Sequence, residues 1–166
     1  MAPVLTRIFT PLFTLLLLTF LATVAWTGRG IDIQRDMLIG FDLLLLLILG
    51  LLLYSVSARD SAAPPNWFDI LQVILVASAL ATDAIALWAI AARISEFGFS
   101  PNRIAALGEN IILLVNLSWS LVVYIRFLRG RGSFASLEKW QTGYLPIFSG
   151  WAAFVVVVFP PLFQYI

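Results

Sequence analysis

Three acidic residues stand inside otherwise apolar stretches: Asp42 at the head of a leucine tract, Asp83 within LATDAIALW and Glu109 within AALGENIILL. Carboxyl groups in such settings can hold a proton or a cation, and Asn110 and Asn116 add amide donors and acceptors that would support either. The rest of the inventory is poor in chemistry. With no Cys and no His, the chain has no thiolate nucleophile, no disulfide, no zinc or haem ligand of the usual kinds and no side chain that titrates naturally near neutrality. There is no HExxH, no Gly-x-Gly-Asp and no phosphate-cradling glycine loop followed by Lys, so the chain is not expected to be an enzyme or to bind a cofactor or metal.

The elements that must position these residues follow from composition. Of 166 residues, 61% are hydrophobic and 11% charged, with a mean hydropathy of +0.99, against roughly 45–50% apolar and about 25% charged in soluble domains. This is the composition of a membrane protein. A net charge of +1 offers no basic face for nucleic acid. A bilayer core about 30 Å thick needs roughly 20 mainly apolar residues in a helix, and five windows meet or approach that: 8–26, 37–56, 67–92, 104–128 and 144–163. Their apolar runs are continuous, whereas the strands of a spanning barrel alternate. The expectation is therefore all-α: an integral membrane helical bundle with about five transmembrane helices, one transmembrane domain over residues 1–166.

The first window reads as an uncleaved span, because Trp26 crowds the loose Thr23/Ala25 cleavage pattern and four more spans follow. In the fifth, Pro160 and Pro161 should end or kink the helix. The stretches 28–36, 57–66 and 129–143, rich in Gly, Pro, Ser and charge, read as loops. Arg7, Arg59, Arg126, Arg129, Arg131 and Lys139 fall on the side of the N-terminus, and Arg29, Arg35, Arg93 and Arg103 on the other. That bias favours a cytoplasmic N-terminus.

At 1.5 Å rise per residue, Asp42, Glu109 and Asp83 lie about 8, 12 and 15 Å below helix ends on one side of the membrane. Helical phase groups Ala105, Ala106, Glu109, Leu113, Asn116 and Ser120 on one small, polar face, and Asp69, Gln72, Val76, Ala79, Asp83 and Ala86 on another. The two faces are expected to meet, with Asp83 and Glu109 at comparable depth. Two carboxylates close together in low dielectric cannot both stay ionised. They form a proton or cation site, or else they lock the bundle as neutral or arginine-paired groups, and the packing reading is preferred because interhelical polar contacts are common. For Asp42 the plainer reading is an acid near a helix N-terminus that turns toward the interface. Trp67 and Asp69 read as interfacial anchor and first-turn acid.

The segment RISEFGFSPNR, residues 93–103, reads mechanically. Gly98 can end one helix at a left-handed cap, Ser100 can cap the next and Pro101 fits its first position. Arg93, Glu96 and Arg103 could pair across the turn. The same eleven residues resemble an Arg-Ile-x-Glu-aromatic-Gly-x-Ser/Thr-x-x-Arg signature of bacterial polytopic membrane proteins of domain-of-unknown-function family 4153, with Arg93, Glu96, Gly98, Ser100 and Arg103 at the motif positions. The resemblance extends loosely over the C-terminal half. Members are usually longer, so it implies a C-terminal portion or short relative and a place in the bacterial inner membrane, and it implies no activity.

From its short loops and small-residue faces, the chain is expected to be a structural or interaction component of that membrane. Its expected partners are the lipid bilayer and other membrane subunits or copies of itself. The alternative is a small transporter or a proton- or cation-coupled channel using Asp83 and Glu109.

Overall fold

The computed structural model describes residues 2–28 and 35–164, with the side chains of residues 4–28 and 39–164. Five helices make up nearly all of it: α1 (Ala2–Thr27), α2 (Arg35–Ala58), α3 (Trp67–Phe97), α4 (Pro101–Leu128) and α5 (Phe134–Phe163). Each contains a stretch long and apolar enough to cross a membrane, and among the described residues there is no strand. Arg29 and the side chain of Arg35, which enter the expectations above, lie outside the described residues.

Local chemistry explains the helix ends on either side of α3. Asn66 accepts from the backbone N–H groups of Phe68 (2.8 Å) and Asp69 (3.3 Å), while Asp69 accepts from the N–H of Asn66 (2.8 Å). This reciprocal box satisfies donors that a helix start leaves orphaned. At the other end Gly98 adopts φ +73°, which favours glycine. Its ψ of −176° makes the turn extended, so the left-handed helical cap expected there does not form. Ser100 then caps α4, its Oγ accepting from the N–H of Arg103 at 3.4 Å, and Pro101 opens the helix.

The expected start of the last span is corrected, and of the two effects expected of its prolines, ending or kinking the helix, the first does not occur. Its helix begins at Phe134, inside the stretch read as a loop, because Phe134, Leu137, Gln141 and Tyr144 are buried at helical spacing while Glu138 and Lys139 face outward. An amphipathic start of this kind is invisible to a hydropathy window. Nor do Pro160 and Pro161 stop the helix, which runs to Phe163 and ends on a left-handed Gln164. Each proline forfeits one donor, a loss that membrane helices tolerate. Pro11 is carried inside α1 in the same way.

α3 is the hub of the bundle, packing on α1, α2 and α4, while α5 packs on α4 and touches α2. Its expected stripe holds throughout, since Asp69, Gln72, Val76, Ala79, Asp83 and Ala86 are all buried. Around it close Leu17 of α1, Leu45, Ile48 and Leu52 of α2, and Leu113 and Leu117 of α4. In a bilayer, lipid tails are as apolar as these leucines, so close packing and polar contacts between helices set the assembly.

Candidate functional site

The acid deepest in the fold is Asp83. It is 0% exposed, and neither carboxylate oxygen has a hydrogen-bond partner among the described residues. The neighbouring hydroxyl of Thr82 is committed to its own helix, donating to the carbonyl of Ser78 at 2.9 Å. Asp42 of α2 and Glu109 of α4 both lie within electrostatic reach of Asp83, and Asp42 within reach of Glu109. The structure therefore gathers the three expected acids around one region, where α2, α3 and α4 converge.

Asn110 organises that region. Fully buried, it donates from Nδ2 to Asp42 Oδ1 (3.0 Å) and to the carbonyl of Ala106 (2.9 Å). α2 and α4 are otherwise not packed along their lengths, so this side-chain bond is a tie between them. Asp42 is thus held inward, which corrects its reading as an acid that turns toward the interface: a buried amide donor competes well against water at the rim.

Between the two helices lies a cavity of about 620 Å³. Asp42 and Glu109 line it together with Arg93, Arg103, Ser100 and Asn102, and Leu43, Leu46 and Ile90 give it apolar walls. Among the described residues, no three His, Cys, Asp or Glu side chains are grouped closely enough to hold a metal ion. The arrangement suits a proton or an organic cation, which do not require convergent ligands.

The turn at 93–103 does not form its expected charge pairing between Arg103 and Glu96. Arg103 donates instead to the carbonyls of Phe97 (3.1 Å) and Gly98 (2.7 Å), and its guanidinium lies over the Phe97 ring at 5.5 Å. Carbonyls left orphaned at the end of α3 are the nearer acceptors for a cation there.

Asn116 leaves the group. It exchanges hydrogen bonds with Gln141 of α5 at 3.3 and 3.4 Å, and Gln141 also donates to Ser120 at 2.6 Å. Asn116 shares the helical face of Glu109, but seven residues carry it about 10 Å along the axis, where α5 lies opposite. Sequence reasoning missed Gln141 because it fell inside the stretch read as a loop.

It also missed the structure at the other end of the bundle. Arg59 donates to Asp69 at 2.9 Å and to the carbonyls of Asp60, Ala63 and Pro64, and stacks over Phe127 and Phe134 at 4.8 and 4.4 Å. One turn below, Gln72 donates to Ser55 (2.9 Å) and Thr10 (3.2 Å), joining α3 to α2 and α1. The signal was present in α1, where Thr6, Thr10 and Thr14 recur every fourth residue and are all buried.

Compared with known proteins, the chain matches no family model, no curated protein and no solved structure.

Proposed function

We propose that this five-helix membrane protein is a small proton-coupled transporter or channel, with Asp83 as the proton-binding group and Asp42 and Glu109 as the acids through which protons reach it. The observation that carries the reading is that no donor among the described residues reaches the buried carboxyl group of Asp83. An ionised carboxylate buried without a donor is costly, and a proton discharges it. An acid retained for packing has partners, as Asp69 does; Asp83 locks nothing. This reverses the preference drawn from sequence.

In the same proposal the N-terminus is cytoplasmic and the cavity opens on the exported side. The RISEFGFSPNR turn is read as the motif of the family it resembles, supported by the structural parts that Gly98, Ser100 and Arg103 play in it. The test is proton flux in liposomes containing the purified chain, followed with an entrapped pH-sensitive dye under an imposed potential. Asp83→Asn is expected to abolish a flux that the unaltered chain supports, while leaving folding intact. Absence of flux in the unaltered chain, with loss of thermal stability in Asp83→Asn, would make the acid a packing element.

The reading as a structural or interaction component of the bacterial inner membrane is favoured by α5. Between Tyr144 and Phe159 that helix has no fully buried residue, which leaves a length of it open to another helix. A membrane subunit that co-purifies in fixed ratio, identified by native mass spectrometry, supports this second reading; a lone chain competent for flux counts against it.

A further inference from the structure

The cavity between α2 and α4 has a polarity that selects a ligand. Its acids are deep and its arginines are shallow: on α4, Glu109 lies six residues beyond Arg103, about 9 Å further along the helix. Arg93 is within about 6 Å of the end of α3, so both cavity-lining arginines lie toward the membrane face. The apolar wall is on α2, where Ile39 and Leu43 are 49% and 58% exposed although they line the cavity, and no residue of α5 lines it. A cavity lined by such residues is open along its flank, where a bilayer supplies hydrocarbon.

We infer that this cavity binds an amphiphilic ammonium compound from the lipid, its ammonium group between Asp42 and Glu109 and its chain along Ile39, Leu43 and Leu46. The volume lies within the range of small-molecule pockets, roughly 300–1,000 Å³. Asp42 commits only Oδ1 to Asn110, and Glu109 forms no hydrogen bond or ion pair with any other described residue. Both acids can therefore meet a donor in the cavity. Asp83, buried behind them with no hydrogen-bond partner among the described residues, is discharged by its proton and leaves the negative charge of the cavity to Asp42 and Glu109. The order of charges also excludes an amphiphile whose anionic group lies next to its chain, since that group would face the acids. Any anionic group must lie beyond the ammonium, toward Arg93 and Arg103.

The inference rests on the acids forming a cation site, and names the cation. Three probes separate the components of the ligand: dodecylammonium, dodecyl phosphate and butylammonium, each titrated against the full chain in lipid nanodiscs and followed by native mass spectrometry. Dodecylammonium is expected to give one saturable adduct per chain, butylammonium at least tenfold weaker binding, and dodecyl phosphate no saturable adduct. Glu109→Gln, which touches no existing hydrogen bond, should weaken dodecylammonium binding at least tenfold. Leu46→Trp should block the chain channel, while Asp83→Asn, outside the lining, should leave an adduct of the same stoichiometry. Saturable binding of dodecyl phosphate, or unchanged dodecylammonium affinity in Glu109→Gln, overturns the inference. Either result leaves the proton reading standing if Asp83→Asn still abolishes flux; an intact adduct with no flux in any variant overturns the proton reading alone.

Discussion

Asp69 and Asp83 occupy one face of one helix, fourteen residues apart, and both are buried, at 1% and 0% exposure. Asp69 accepts from the Arg59 guanidinium and from the N–H of Asn66, and the arginine is itself sandwiched by Phe127 and Phe134. Asp83 accepts from nothing among the described residues. Burial alone therefore does not separate a packing acid from a candidate site. What separates them is whether the neighbouring elements supply donors, and at the Asp69 end they supply a cation, a backbone amide and two rings.

The contrast is most directly broken by removing Arg59. Arg59→Ala leaves Asp69 buried without its cation and should cost about 3–5 kcal/mol, read as a lowered unfolding midpoint in mixed micelles. A cost under 1 kcal/mol would mean the ion pair is ornamental. Next in size, Gly108→Ala should lose about 1–3 kcal/mol and loosen α5 at the cavity end, because a Cβ at Gly108 would collide with the indole of Trp151, whose Nε1 donates to the Ala105 carbonyl at 3.2 Å. The check is the unfolding midpoint together with a fluorescence shift at Trp151. If both stay unchanged, α4 and α5 do not approach closely at Gly108.

The sign should reverse at Asp83. Asp83→Leu removes an unpartnered buried group and is expected to raise stability by about 1–3 kcal/mol. A loss as large as that of Arg59→Ala would erase the distinction between the two acids. The smallest effect should come from Gln141→Ala, about 1 kcal/mol or less, because polar contacts between membrane helices contribute modestly. Its use is to sharpen the comparison: Gln141 is a partnered polar residue on the face opposite Asn116, so its loss should lower stability without altering proton flux.

Much of the frame was legible in the sequence, and the reasons differ by residue. The face of α3 was readable because helical phase alone decides which residues share it, and all six of its members are buried. Ser100 and Pro101 were readable because capping is settled within one turn. The start of α5 was not, because Phe134, Leu137 and Gln141 form a buried stripe only against α4, while the flanking Glu138 and Lys139 mark the same stretch as polar. The grouping of Asp42, Asp83 and Glu109 in one half of the membrane followed from counting along helices. The departure of Asn116 did not, since that depends on which helix lies opposite at its depth.

By itself the sequence determined an all-α chain with five apolar stretches able to span a membrane, because spanning length and helix formation depend on runs of about 20 neighbouring residues. It also determined that four acids, Asp42, Asp69, Asp83 and Glu109, fall within those stretches. Only the tertiary structure decided which of them are partnered: Asn110 reaches Asp42 across 68 residues and Gln72 reaches Thr10 across 62. Hydrogen bonds act over about 3 Å, so apart from the Asn66 box that Asp69 closes within one turn a partner is defined by how helices pack, and no local pattern in the chain records that Asp42 is given Asn110 and that Asp83 is given no donor among the described residues.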